Sequence, residues 1–248
     1  MNLGVITLFP ELIEAGNKVG MVRIAREKNQ LAVRTYNPRD WAQKRSRRVD
    51  DRPFGGGPGM VLEPEPLEQA LDAALLEHPQ AQIIGFSPQG QRLDRAVIDQ
   101  WVKNRRPLIM LCGRYEGIDQ RITDRRVDAE YSLGDLVLAG GELPAMVVID
   151  AIARKLDGVV GDQQSVIEDS FEHGWLDHPH YTRPASWRGL DVPEVLLSGD
   201  HQRIERWREQ QRLIRTAEQR PDLLHDTGVS AEQRAWLTEH WIAGANKP

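Results

Sequence analysis

Two hydrophobic periods alternate along the first 160 residues. Leu3–Phe9 is a short apolar run with strand character, and Val19–Glu27 has helical spacing. Leu31–Tyr36 alternates apolar and polar positions as a strand does. After a Gly/Pro-rich stretch, Glu65–Glu77 puts Leu67, Ala70, Leu71, Ala74 and Leu75 on one helical stripe. A strand at Ala81–Phe86 follows, then a helix over Asp94–Lys103 with Asp94 as its N-cap. Pro107–Cys112 holds four consecutive apolar residues, the pattern of a parallel strand covered on both faces. Val137–Ala139 is a candidate short strand, and Leu143–Leu156 reads as a helix with Pro144 in its first turn. Such alternation predicts an α/β domain on a mainly parallel sheet.

The pattern changes after Gly158. Residues 158–175 are rich in Gly and polar groups and read as a linker. Beyond them only helices are predicted: Val192–Leu197, Asp200–Ala217, Pro221–Leu224 and Ser230–Ile242, the last opened by a Ser230/Gln233 capping box. Two domains are expected, α/β and then all-α, with boundaries at 1–160, a linker at 161–175, and 176–248.

A hydrophobic share of 40% suits a real core. No apolar run approaches the ~18 residues of a membrane span. The opening MNLGVITLFPEL lacks a basic lead and a small-residue cleavage site, so a secretory signal is not expected. One cysteine, Cys112, excludes an intrachain disulfide and fits a reducing compartment; a cytoplasmic location is expected. Net charge is −5, yet cations cluster at Arg39, Lys44, Arg45, Arg47, Arg48 and Arg52. A second series is Arg203, Arg206, Arg208, Arg212, Arg215 and Arg220. Local basic surface attracts a phosphate backbone whatever the global sign, although interleaved acids fit a solvated face equally well.

Four segments could carry chemistry. Asp50–Met60 (DDRPFGGGPGM) is glycine-dense but matches neither the P-loop nor the dinucleotide fingerprint, which counts against a nucleotide-dependent dehydrogenase. Ser87–Gly90, Gly113–Asp119 and Tyr131–Glu142 each border a predicted strand. Ligands of open parallel sheets bind beyond the carboxyl ends of the strands, so these three could line one crevice or be ordinary strand–helix turns. Asp169, at the domain boundary, could be a general base or a helix cap. Arg154 stands one turn after Asp150, either paired with it or set to steady developing charge. His173, His178 and His180 near Asp177 match no zinc spacing and read as structural, so no metal site is assigned.

Taken in order, VDDRPFGGGPGM, SPQG, LCGRYEGID, YSLGDLVLAGGELPAM, EDSF and PHYTRP resemble the bacterial tRNA (guanine-N1)-methyltransferase family of the SPOUT superfamily over nearly the whole chain. The resemblance implies a deep trefoil knot in the α/β domain, a small all-α C-terminal domain that binds tRNA, and a homodimer whose active sites are built from two chains. It implies no membrane and no DNA partner. S-adenosyl-L-methionine is the implied methyl donor, held by Pro88, Gly113, Glu116, Leu133, Gly134, Asp135, Leu136, Val137, Leu138, Gly140 and Gly141. Asp169 corresponds to the family's proposed base and Arg154 to its essential arginine, while Pro58, Gly59 and Ser165 correspond to elements around the target base. Mg²⁺ near Glu116 is implied by the resemblance alone. Leu136, Gln163 and Gln164 depart from common family residues without touching a catalytic position.

The implied reaction methylates ring N1 of the guanine at tRNA position 37, immediately 3′ of the anticodon. That nitrogen carries a proton at neutral pH, so a base must remove it as the methyl moves. Rival readings are a related knotted enzyme acting on ribosomal RNA or ribose oxygen, and a non-catalytic RNA-binding protein.

Overall fold

In a computed structural model, the protein is described over residues 1–161, 168–226 and 229–244. The chain divides into two compact units, Met1–Gly161 and Asp162–Pro248.

The first unit is built on a five-stranded, wholly parallel sheet. Its strands are β1 (Asn2–Ile6), β2 (Ala32–Tyr36), β5 (Gln82–Arg92), β6 (Leu108–Leu111) and β7 (Ala129–Ser132), in the order β2-β1-β6-β5-β7. The short strands β3 (Asp50–Asp51) and β4 (Val61–Leu62) form a separate antiparallel ribbon. Helices α1 (Pro10–Gly16), α2 (Gly20–Glu27), α4 (Arg95–Asn104) and α6 (Glu142–Lys155) supply the core on one face of the sheet. Helices α3 (Pro64–Glu77) and α5 (Gln120–Arg126) supply the other.

Strand β6 shows why the sheet needs both covers. Leu108 and Met110 join the core containing Ile98, Trp101, Val148 and Ile149, while Ile109 and Leu111 join the one containing Leu67, Leu71 and Ile122. All four are fully buried, so a run without polar alternation is the expected outcome of period-two geometry between two helix layers. Asp94 caps α4 as predicted, its carboxylate accepting from the Val97 N–H at 3.1 Å.

Besides the β3–β4 ribbon, which falls where a loop is expected, three features of this unit differ from the sequence reading. Val137–Ala139 forms no strand. Ser87–Gly90 lies inside β5 rather than after it: Phe86 and Gln91 both pair with Tyr131, and the four residues between them are looped out. A Cβ on Gly90 would meet the Glu130 backbone at 2.5 Å, so the loop closes against β7. Helices α1 and α5 and strand β7 were not predicted; they bury only Ile13, Ile122 and Tyr131 respectively, too few apolar positions to show a period.

In the second unit the described helices are α7 (Glu194–Leu197), α8 (His201–Gln219), α9 (Leu223–Asp226) and α10 (Ala231–Gly244). Asp200 caps α8, accepting from Gln202 N and Arg203 N. The Ser230/Gln233 capping box forms in both directions, Gln233 N donating to Ser230 Oγ and Ser230 N to Gln233 Oε1. The unit also holds a ribbon that the sequence reading lacked, β8 (Ser186–Trp187) against β9 (Leu190–Asp191). Its two-residue turn is Arg188-Gly189, both at positive φ as a primed hairpin turn requires. Strands of two residues are too short to reveal alternation.

Candidate functional site

A cleft of about 420 Å³ opens at the carboxyl edge of the sheet. Phe86–Gln89 from the looped-out part of β5, Gly113–Ile118 after β6, and Leu133 with Leu136–Gly141 after β7 line it together. The three segments singled out in the sequence therefore converge at the place where an open parallel sheet presents ligands. Pro88, Gly113, Glu116, Leu133, Leu136, Val137, Leu138, Gly140 and Gly141 are all in the lining; Gly134 and Asp135 form the turn between Leu133 and Leu136. The volume falls within the range of small-molecule sites, and apolar leucines interleaved with glycine backbone suit a ligand with both aromatic and polar parts.

The wall has a hidden support. Glu142, at the start of α6, is 1% exposed. Its Oε1 accepts from Thr7 Oγ1 at 2.8 Å, and its Oε2 pairs with Arg114 Nε at 2.9 Å. The Arg114 guanidinium lies over the Phe9 ring at 4.3 Å and donates to Ala139 O at 3.3 Å. Arg114 thus links the loop after β6 to the loop after β7. Gly141 N donates to Gly113 O at 3.0 Å and completes the link. The two glycines behind it are fixed by contact: a Cβ on Gly140 would lie 2.3 Å from Arg114 Nε, and one on Gly141 2.8 Å from Cys112 Cα. Burial, with the Glu142 carboxylate beside it, pushes the Cys112 thiol well up, so Cys112 is a packing residue and not a nucleophile. Sequence reading missed Thr7, Arg114 and Glu142; the only signal was a glutamate directly after Gly-Gly at a helix start.

Among the described residues, the other predicted ones are not in the cleft lining. Arg154 is exposed in the last turn of α6, in the first unit. Gly59 packs against Glu116, where a Cβ would come within 2.3 Å of Oε1, and Pro58 precedes it on the exposed loop between β3 and β4. Asp169 belongs to the second unit, half-buried in a turn where its carbonyl accepts from Glu172 N at 3.2 Å. Ser165, Gln163 and Gln164 lie outside the described residues.

Of the three histidines, His178 and His180 cluster with Asp177. Asp177 bonds His180 Nε2 at 2.8 Å and the His178 N–H at 2.7 Å, and Arg212 Nε stands 3.6 Å from its Oδ1. These groups could gather around a cation, but the buried guanidinium already provides the countercharge. The same observation revises the second basic series. Arg212 is buried in this network and Arg220 makes two bonds to Asp222, so neither is a free surface cation.

A parallel α/β sheet with its cleft at the strand ends, walled by glycine turns that leave backbone groups within reach, defines a domain of the small-molecule-binding α/β class. The family model for tRNA (Guanine-1)-methyltransferase TrmD matches residues 1–226. The chain is 53% identical over 239 residues to the tRNA (guanine-N(1)-)-methyltransferase of Dechloromonas aromatica, covering 94% of each chain. It is 48% identical to that of Cupriavidus taiwanensis over 100% of this chain and 98% of the relative. With that of Pasteurella multocida it shares 49% identity over 96% and 98%. The protein belongs to the TrmD tRNA (guanine-1)-methyltransferase family. Among the described residues, no helix is long and apolar enough to cross a membrane.

Proposed function

We propose that the protein transfers a methyl group from S-adenosyl-L-methionine to ring N1 of guanine 37 of tRNA. The observation that carries this is the convergence of three glycine-bearing loops on one cleft, in a chain whose family is defined by that reaction. The cleft takes the donor: Leu133, Leu136 and Leu138 offer apolar contact, and the backbone around Gly113, Gly140 and Gly141 offers hydrogen bonds to a purine edge and ribose. The loops of the first unit are read as the family's knot, which makes them a rigid holder. A near-attack arrangement of sulfur, methyl and N1 can by itself remove ~7–11 kcal/mol of barrier.

Asp169 is assigned as the base that accepts the N1 proton while the methyl moves, and Arg154 as the group that stabilises negative charge gathering on the purine or its phosphate. Pro58, Gly59 and Ser165 are assigned to the rim that receives the guanine. The base must leave its stack, a step that costs least in a single-stranded loop. Cations of the Arg39–Arg52 series, and of the second series Arg203, Arg206, Arg208 and Arg215, hold the tRNA backbone, the second unit acting as the helical tRNA-binding domain. Mg²⁺ would find oxygen donors in Glu116 and Glu130, which both line the cleft, and would supply charge neutralisation there.

A homodimer fits the outer side of α6, where Leu143 is 54% and Val147 48% exposed one turn apart, with Val137 and Leu138 exposed nearby in sequence. In a dimer the base and the donor cleft can come from different chains, as the family resemblance expects.

The test is methylation of an unmodified tRNA transcript carrying guanine after the anticodon, against one carrying adenine. 1-Methylguanosine in the first digest alone is expected; a ribose-methylated nucleoside would overturn the assignment. Asp169→Ala should lower single-turnover transfer by three orders of magnitude or more while donor affinity by calorimetry stays within about twofold. Wild-type-like turnover would remove Asp169 from the chemistry.

A further inference from the structure

The loop that joins β3 to β4 carries Phe54, the most exposed large apolar side chain among the described residues, at 102% relative exposure. Both faces of the ring are open to solvent, so it is available to an incoming planar group. Its setting narrows what that is. Gly55, Gly56 and Gly57 follow at positive φ, and a Cβ on any of them would meet nothing within 4 Å; the tip turns on itself, Gly56 N donating to Pro53 O at 3.3 Å. The base of the loop is anchored, by the Asp50↔Leu62 and Asp51↔Val61 pairing and by the Glu116 N–H donating to Met60 O at 2.9 Å. Because Glu116 lines the cleft, the ring stands on a loop whose stem is hydrogen-bonded to the cleft wall.

Charge chooses the partner. Among the described residues Arg45 and Arg52 have no ion-pair partner, and Arg48 reaches Asp50 and Asp51 only at 3.8 and 3.9 Å. An aromatic plane two residues from an unpaired guanidinium matches a nucleobase and its phosphate, the pairing by which proteins hold single-stranded nucleic acid. Two copies of this chain meeting loop to loop would instead set like charges together.

We propose that Phe54 is a base-stacking residue, its ring lying on a nucleobase of single-stranded RNA beside the cleft while Arg52 pairs with the adjoining phosphate. This rests on the tRNA-methylation reading and adds to it a contact on the substrate that the reacting guanine does not require.

Steady-state kinetics of the full chain on a tRNA transcript test it. Phe54→Ala should raise KM for tRNA roughly tenfold, the loss expected for one stacked base, with kcat and the donor dissociation constant within about twofold of wild type. Phe54→Tyr and Phe54→Trp should restore KM, and the emission of Phe54→Trp, less that of the wild type, should be quenched by tRNA and not by donor alone. Since the ring touches nothing, all variants should melt with the wild type. An unchanged KM in Phe54→Ala overturns the proposal. So does full rescue by Phe54→Leu, which points to plain apolar contact, or a Phe54→Ala protein that sediments at lower mass than wild type, which places the ring between copies. If the wild type itself does not methylate tRNA, the functional reading fails first; if it does and KM is unmoved, only the stacking contact falls.

Discussion

Two glycine-rich loops of the first unit use the same residue for opposite reasons. At Gly140–Gly141 a side chain is excluded by neighbours, because Arg114 and the Cys112 backbone occupy the space it would need. At Gly55–Gly57 space is open on every side and the backbone alone, at positive φ, asks for glycine. The first loop is fixed by an ion pair to a buried carboxylate, the second by its stem and one turn hydrogen bond, Gly56 N to Pro53 O. A packed loop and an unpacked one therefore sit side by side; on the proposed reading the first aligns the donor and the second meets the tRNA.

The sharpest way to break that contrast is to remove the support of the fixed loop. Glu142→Gln leaves Arg114 without its countercharge next to the buried Thr7 hydroxyl, a loss on the order of 3 kcal/mol of stability, with donor affinity falling alongside. Chemical denaturation and calorimetry read both, and an unchanged unfolding midpoint would show that the pair supports nothing. Gly141→Ala comes next: overpacking against the Cys112 backbone should cost about 2 kcal/mol and weaken donor binding. Gly56→Ala is the matched control in the open loop. It meets no atom, so only the left-handed backbone is penalised, at about 1 kcal/mol, and donor affinity should not change. Equal effects of the two glycine variants on donor affinity would erase the distinction.

The smallest effect is one of pH. Burial lowers the pKa of His78 in the first unit and of His178 in the second, so both are held neutral where the unfolded chain would protonate them. The unfolded state binds more protons below the ordinary histidine value of 6.5, so stability is retained above it and falls as pH drops through it. The melting temperature should decline by a few degrees from pH 7.5 to 5.5, and less in His178→Asn. A flat profile would contradict the burial of these rings.

Legibility in the sequence followed the density of apolar positions. Strand β6 and helices α3, α4 and α6 were readable because each buries several residues at a fixed period. The Ser230/Gln233 box was readable because its chemistry lies within four residues. Strand β7, with Tyr131 alone buried, and the Ser186–Asp191 ribbon carry no period. The convergence of three loops followed from the strand-end rule. The partnership of Thr7 with Glu142 across 135 residues did not, since nothing local announces which distant hydroxyl a buried carboxylate will meet. Family motifs supplied Asp169 and Arg154, residues whose local sequence fits a cap or a surface ion pair just as well.

The strand order has a consequence for biosynthesis. Strand β1 runs between β2 and β6, its Leu3 in register with Val33 on one side and Leu108 on the other. As the polypeptide leaves the ribosome at about 5–20 residues per second, one edge of β1 waits several seconds for its second neighbour. During that interval a bare apolar strand is open to wrong pairing, so chaperone dependence should concentrate in nascent chains that end between β2 and β6.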